Sequence, residues 1–462
     1  MIVASALFMQ NLDSTVIATA LPTMARSFGE DPLRMNVALT SYLLSLAVFI
    51  PASGWVADRF GTRTVFRAAI AVFVLGSILC GRAESLEFLV FARVVQGIGG
   101  AMMVPVGRLV LLRSTPKDQL VSAMAWLTTP ALIGPVVGPP LGGFIVDHAS
   151  WRWIFDINIP IGVLGIVLVT RYIDDVRDPD PAPFDGVGLL LSAIALASLM
   201  FGFETAGRGI VPPWMWIGAL ALGLAGCGLY ALHARRAKRP ILDFALMRIA
   251  TFRVAVTAGS LFRTGVGAIP FLLPMLLQLG FGLSATSSGA ITFASAAGAF
   301  VMKPAARFFL RRWGFRSVIV GNAALAAAFI MACAAFRPGF PIVAIYAILL
   351  AGGFFRSLQF TAYNVLAYVD ITSRRMGDAT SFYATAQQVS LTMGVAIAAA
   401  SLELLVHMGG RHEPAIADFA GAFLIVGGIS MLAAFAAFGL PHDAGADVSG
   451  QARRDSGSGT PR

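Results

Sequence analysis

Fourteen apolar stretches follow one another along this chain of 462 residues, and the basic residues are confined almost wholly to alternate gaps between them. A hydrocarbon core about 30 Å thick takes roughly 20 apolar residues of helix to cross. An isolated strand there would leave its backbone groups unpaired, so the stretches predict helices. They fall at 3–27, 37–57, 65–82, 88–113, 121–146, 153–173, 185–205, 214–234, 253–279, 286–306, 316–336, 341–367, 379–406 and 418–440. Counting residues toward a span's end, Arg26 apart, with the adjoining gap, 24 of the 34 Lys and Arg belong to the even-numbered gaps and the C-terminal tail, against six to the odd gaps. Four more, Arg26, Arg93, Arg263 and Arg356, fall inside the predicted spans. By the positive-inside rule the even gaps and both termini are expected in the cytoplasm.

Composition agrees: 57% of residues are apolar and 13% charged, outside the range of soluble domains. The net charge of +10 does not point to nucleic acid, because the excess is the inside bias itself and would face anionic lipid headgroups. Cys80, Cys227 and Cys333 all sit in apolar spans, and the five His show no ligand spacing, so neither a disulfide framework nor a metal site is expected. No G-x-x-x-x-G-K-[ST] loop occurs, so an ion gradient rather than ATP is the expected energy source. Polar residues Gln10, Asn11, Asp13, Ser14 and Thr15 interrupt the first span, unlike a signal-peptide core. We read it as a retained helix.

Two gaps stand out, the acidic, Pro-rich 174–184 and the basic 235–252. They divide the chain into a six-helix bundle at 1–175, an extra pair at 184–235, a second six-helix bundle at 250–440 and a tail at 441–462 expected to be disordered. DRFGTRTV at 58–65 and RRWGFRSV at 311–318 occupy the matching gap of each six, aligning Gly61 with Gly314 and setting Asp58 against Arg311. Halves repeated in this way place a transporter's substrate site between them, near the midplane.

Four motifs carry the chemistry. In GWVADRFGTR, Gly54 permits close helix approach, Gly61 suits a turn of positive φ, and Asp58 ends helix 2 where it can pair with Arg59 or Arg63 or cap a neighbouring helix. In RVVQGIGGA, Arg93 and Gln96 share a helix face, and a buried arginine must face protein or water unless it snorkels. In GPVVGPPLGG, Gly134, Gly138 and Gly142 form a flat stripe beside Pro139 and Gly143, expected to pack against a small-residue face such as Ala290, Ala294 and Gly298 of helix 10. In LDSTVIATALP, Asp13 lies near the middle of helix 1, as a proton carrier or an ion-pair partner.

Together these residues resemble the major facilitator superfamily, and within it the 14-helix drug:proton antiporters. GWVADRFGTR is similar to the loop 2–3 signature, RVVQGIGGA to that of helix 4, and GPVVGPPLGG to the antiporter signature of helix 5. LDSTVIATALP and WRWIFDINIPIG are similar to the helix 1 and helix 6 signatures of the subfamily, and ATAQQVSLTMGVA is the best match in the second half. Asp156 stands where the subfamily has an apolar residue, Thr62 where a basic one is frequent, and helix 10 has no carboxylate. The resemblance implies an all-α fold of two six-helix bundles plus two helices. It also implies proton-driven export of hydrophobic compounds across a bacterial inner membrane, without a cofactor. The proton gradient, a small-molecule substrate and the lipid bilayer are then the partners. A periplasmic adaptor and outer-membrane channel are left open.

Arg263 and Arg356 fall near the midplane and with Asp13 predict a cavity of two cations and one anion. That balance leaves room for neutral, zwitterionic or anionic solutes, handled by an exporter or by an uptake symporter on the same fold. Glu204 and Glu403 fall near outer helix ends and are expected to be solvated, Glu204 beside Arg208. A membrane enzyme is disfavoured, since no span carries a nucleophile–base pairing and no gap is long enough for a catalytic domain.

Overall fold

The computed structural model describes residues 2–30, 34–127, 129–181, 183–206, 211–411, 413–441 and 444–449. Among these residues all regular structure is helical, as a lipid environment requires of chain segments that must satisfy their own backbone groups. In the first bundle α1 is Ile2–Phe28 and α2 Val37–Phe60, tightened into a 3-10 turn at Ile50–Ala52 around Pro51. Then follow α3 Thr62–Gly81 and α4 Leu86–Ser114, the latter capped by the Ser85 hydroxyl, which accepts from the Phe88 N–H at 3.2 Å. Next come α5 Thr129–His148, entered through a short helix Leu120–Leu127, and α6 Trp153–Tyr172. The extra pair is α7 Gly186–Thr205 and α8 Pro213–Arg236.

The second bundle opens with α9, Ala250–Met275, which carries Pro270 and Pro274 and runs into a π turn at Leu276–Gly280. Removing two backbone donors in one stretch accounts for that local change of winding. The helix Ala285–Ala332 is interrupted only at Gly314, whose φ of 75° and ψ of 164° are not helical. We number its limbs α10 (285–313) and α11 (315–332). They are followed by α12 Ile342–Leu366, α13 Met376–Met408 and α14 Ile416–Ala436. Eleven helices among the described residues are long and apolar enough to cross a membrane, the long helix through Gly314 counting once. The protein is a multi-pass membrane protein.

The octet repeat has a structural counterpart. Gly61 takes φ 93° and ψ 140°, close to the conformation of Gly314 at the same point of the second bundle. Both positions need the left-handed side of φ, which glycine enters without a Cβ penalty. Packing repeats as well: α1 lies on α5 as α9 lies on α13, and α3 lies on α4 as the α10–α11 helix lies on α12. The extra pair packs through α7 on α2 and α13, one helix from each bundle, while α8 turns Trp214, Leu224 and Leu232 outward. We call the end of the molecule that carries Gly61, Gly314 and the basic loops the basic end.

The segment at 444–449 differs from the disorder expected beyond residue 440. It forms a short helix, Ala446–Ser449, and buries Val448. A Cβ on Gly445 would touch the Phe315 ring, so this segment packs on the loop between α10 and α11.

Candidate functional site

Three of the sequence-predicted residues come together inside the first bundle. The Arg93 guanidinium donates to Asp13 Oδ2 at 2.7 Å and to Gln96 Oε1 at 2.5 Å, and its Nε donates to the Ala38 carbonyl at 3.3 Å. Gln96 Nε2 donates to the other Asp13 oxygen at 2.9 Å. Three residues that sequence reasoning did not single out complete the network. Asn158 of α6 donates to Asp13 Oδ1 at 3.0 Å and to the Ser77 hydroxyl of α3 at 2.9 Å. The Tyr42 ring covers the guanidinium, its centroid 4.2 Å from the Arg93 carbon. Asp13, Arg93, Gln96, Asn158 and Ser77 are each at most 1% exposed. Arg93 therefore does not snorkel; it is an ion-pair partner.

A cavity of about 1780 Å³ opens between the two bundles, large against the few hundred to one thousand Å³ usual for small-molecule sites. Gln10, Asn11, Ser14 and Thr15 of α1 line it, with Phe144 of α5, Phe293 of α10 and Phe360 of α12. Asp13 is not on its wall, which corrects the expected grouping: the helical turn that aims Gln10 and Ser14 at the cavity aims Asp13 into the first bundle. Arg356 does line the cavity, held by the Gly352 carbonyl at 3.2 Å and by the Ser295 hydroxyl. Arg263 lies behind the wall, fully buried, donating to the Tyr383 hydroxyl and lying 4.6 Å from that ring's centroid. Arg108 and Lys303 also line the cavity. As helix-end cations they are easily assigned to the loops. The signal against this is local: Arg108 has apolar residues on both sides in VGRLVLL.

The basic end of the cavity is latched. Asp58 is paired with Arg113 of α4 at 2.7 Å, not with Arg59 or Arg63. Its place on the last turn of α2 faces it toward the end of α4, while Arg59 is exposed and Arg63 half-buried beyond the Gly61 turn. The same carboxylate abuts Gly377 in the first turn of α13, where a Cβ would collide with it. A helix N-terminus favours negative charge at that position. Gly54 packs against the Gly377 carbonyl, backbone to backbone. Arg108 adds a second tie between bundles, donating to the Tyr368 hydroxyl at 3.2 Å and to Gln387 Oε1 at 3.3 Å. At the surface Arg374 meets Asp180 at 3.2 Å. Asp175, from the acidic gap, accepts from the Thr64 N–H at 3.3 Å and hydroxyl at 3.2 Å and from Arg177 at 2.8 Å. Burial works to raise this carboxyl, but Arg177 and Thr64 outweigh it and hold it below the usual carboxylate range.

Gly134 and Gly138 of the α5 stripe pack on α1. A Cβ on Gly134 would meet Asn11 and Leu12, and one on Gly138 would strike the Thr15 hydroxyl. That hydroxyl donates to the Gly134 carbonyl at 3.2 Å. Gly142 is buried, Gly143 borders the cavity, and the Pro139 side chain lies outside the described residues. In α10, Gly298 instead receives the Leu350 carbonyl of α12, and Ala290 is exposed. α5 and α10 do approach each other, but Gly134, Gly138 and Gly298 each pack within their own bundle.

The remaining polar residues separate. Asn364 lines the cavity. Gln359 is turned away from it, accepting from Asn322 at 2.7 Å, and Tyr363 is buried against Phe262. Asp156 pairs with Arg82 at 3.5 Å. Glu403 is exposed beside His407, Glu204 is half-buried, and Arg208 lies outside the described residues. Among the described residues no group of His, Cys, Asp and Glu could hold a metal ion.

The chain matches the family described as Major Facilitator Superfamily over residues 3–395. It is 38% identical to a protein of Pectobacterium atrosepticum named "Putative multidrug resistance protein MdtD", over 91% of this chain and 89% of that one. The protein of the same name in Klebsiella pneumoniae is also 38% identical, over 99% and 97%. The fold matches that of the human organic anion transporter MFSD10 (TETRAN), with a TM-score of 0.68 over 94% of this chain and 98% of that one. At 14% identity this last likeness speaks for the fold alone.

Proposed function

The chain belongs to the Major Facilitator Superfamily and is a transporter rather than an enzyme, and on that premise we propose that it exports amphiphilic small molecules in exchange for protons, by alternating access across a bacterial inner membrane. The cavity carries this reading. It lies between the bundles, is walled largely by apolar side chains, and is tied shut at the basic end by Asp58, Arg113 and Arg108. In this topology fourteen spans put both termini and the basic end in the cytoplasm. The latched state then faces outward, and release of the latch exposes the cavity to the cytoplasm. The names of the relatives support multidrug efflux as the setting.

Asp13 is the proton carrier in this scheme. Its carboxylate shares one buried network with Arg93, Gln96 and Asn158, while its neighbours on α1 line the cavity. Protonation would remove the charge that holds Arg93 and would be felt by α1, hence by the cavity wall. Substrate and proton are thereby coupled through one helix. The test is uptake of ethidium and of the uncharged amphiphile phenylnaphthylamine into proteoliposomes under an imposed pH gradient. Asp13→Asn should lose gradient-driven movement while probe binding survives. Gradient-driven transport at the wild-type rate in that variant would remove Asp13 from the mechanism. A cytoplasm-dependent reporter fused after residue 440 should be active; an active periplasm-only reporter there would overturn the topology.

A further inference from the structure

The charge partners of the interior arginines differ by location. Away from the cavity, buried Arg93 meets Asp13, and the partly exposed Arg113 and Arg375 meet Asp58 and Asp243, the latter at 2.5 Å. Around the cavity none meets a carboxylate. Arg356 has a carbonyl and a hydroxyl, Arg108 a hydroxyl, an amide and the face of Tyr383, and Arg263 the same tyrosine. Arg108 is 4% exposed and its Nε has no hydrogen-bond acceptor. No Asp or Glu lines the cavity among the described residues.

Holding cations in a low-dielectric site without a counter-charge is costly. A ligand bearing an anionic oxygen group would supply that charge and satisfy the guanidinium N–H groups, the strongest class of hydrogen bond available here. The rest of the wall, including Phe293 and Phe360, offers apolar surface for a hydrocarbon or aromatic body. The geometry points to an organic anion as the transported compound: an amphiphile whose carboxylate, sulfonate or phosphate group docks between Arg108 and Arg356. This inference rests on the transport reading above and narrows its substrate class.

The test compares two probes with the same aromatic body, the anion anilinonaphthalenesulfonate and the uncharged phenylnaphthylamine, with ethidium as the cation. Binding to the full chain in detergent is measured by equilibrium dialysis, with no gradient present. The anion should bind about tenfold tighter or more than the uncharged probe, the scale of a charge-assisted hydrogen bond. Arg356→Gln should erase that margin while the uncharged probe still binds, and Arg356→Lys should keep most of it. Retained binding of the uncharged probe also shows that each variant is folded. Tighter binding of ethidium than of the sulfonate, or wild-type sulfonate binding by Arg356→Gln, would overturn the inference. If a pH gradient drives ethidium but not the sulfonate into vesicles, the anion inference falls and export stands. Arginine-dependent sulfonate binding with no gradient-driven movement of any probe would leave the anion site standing and remove proton exchange.

Discussion

Asp13, Arg93, Gln96, Ser77 and Asn158 fill the middle of the first bundle, whereas Phe262, Leu349, Gly352, Ile330 and Phe423 fill the corresponding level of the second. The correspondence comes from shared contacts. Ser77 and Ile330 lie sixteen residues beyond Gly61 and Gly314. Gly138 meets Thr15 and Gly394 meets Thr264, which sets Phe262 opposite Asp13. Gly76 meets Gln96, and Phe329 at the same register meets Gly352, which sets Leu349 opposite Arg93. Gly162 meets Val74, and Gly427 approaches the equivalent Ala327, which sets Phe423 opposite Asn158. One backbone plan thus encloses an ion pair in one half and a buried apolar core in the other. Similar words in the sequence do not mark equivalent places. RSLQ at 356–359 resembles RVVQ at 93–96, yet Gln359 reaches Asn322, eight residues beyond its loop glycine, and Gln96 reaches Ser77, sixteen beyond. At 1.5 Å per residue that is a step of about 12 Å toward the basic end. The lesson is a division of labour: the first bundle encloses Arg93 with Asp13, and the second leaves Arg263 and Arg356 without an acid.

The sharpest way to break this comparison is to make the first bundle like the second. Arg93→Leu alone leaves Asp13 buried without its cation and should cost about 3–5 kcal/mol, seen as a large fall in unfolding temperature in detergent. Adding Asp13→Leu should recover much of that loss and yield a folded chain without gradient-driven transport. A double variant that transports normally would show that the asymmetry has no functional content. A smaller effect tests the shared plan. A Cβ at Gly394 would run into the Thr264 backbone carbonyl, while one at Gly138 meets a hydroxyl that can rotate. Gly394→Ala should therefore destabilise by about 1–3 kcal/mol and Gly138→Ala by less, with Gly138→Leu losing transport or folding. The reverse order in thermal unfolding would mean that the α1–α5 and α9–α13 contacts are not equivalent.

Much of this was legible in the chain. Apolar periodicity and alternating basic gaps give the helices, and Gly61 and Gly314 give the repeat because one conformation demands one residue type. Burial of Asp13, Arg93 and Gln96 follows from placing charge inside an apolar run. What sequence spacing lacks is the direction of a side chain about the helix axis. A turn of a third decides whether Asp13 faces the cavity or the bundle, and it decides that Asp58 meets Arg113 rather than Arg59. Asn158 and Ser77 were hidden because a single amide or hydroxyl in a span is common, and only their convergence on Asp13 makes them notable. The α5 stripe advertises close packing without naming its partner, so α10 was as eligible as α1.

The loops at the basic end extend the comparison to gating. Asp58 holds Arg113 and the start of α13, while its counterpart Arg311 is exposed. Asp58→Asn should weaken the latch by about 1–2 kcal/mol, the worth of a charge-assisted bond lost at a partly buried site. Transport should fall roughly tenfold, with little change in probe binding. Spin labels across the basic end should report longer distances. Arg311→Gln should stay within about 0.5 kcal/mol of wild type. Equal effects from both substitutions would mean that the loops gate symmetrically.

The smallest effect concerns the segments that dock on these two loops. After α6, Asp175 sits against Gly61 and bonds Thr64; after α14, Gly445 sits against the other loop through Phe315, and Val448 is buried. One dock is held by a carboxylate and the other by apolar contact. Because Arg177 and Thr64 hold the Asp175 carboxyl below its ordinary value despite burial, its contribution is complete above the unfolded value of about 3.9 and is lost as pH falls through the lower, folded one. Solvent around Arg177 keeps that contribution within about 1 kcal/mol. Hydrogen exchange at 174–178 should therefore rise as pH is taken below about 4, after correction for intrinsic rates, while 444–449 keeps its protection. Asp175→Asn should show the faster exchange already at neutral pH and lose the acid response. A matching acid response at 444–449, or none at 174–178, would show that the two docks do not differ in kind.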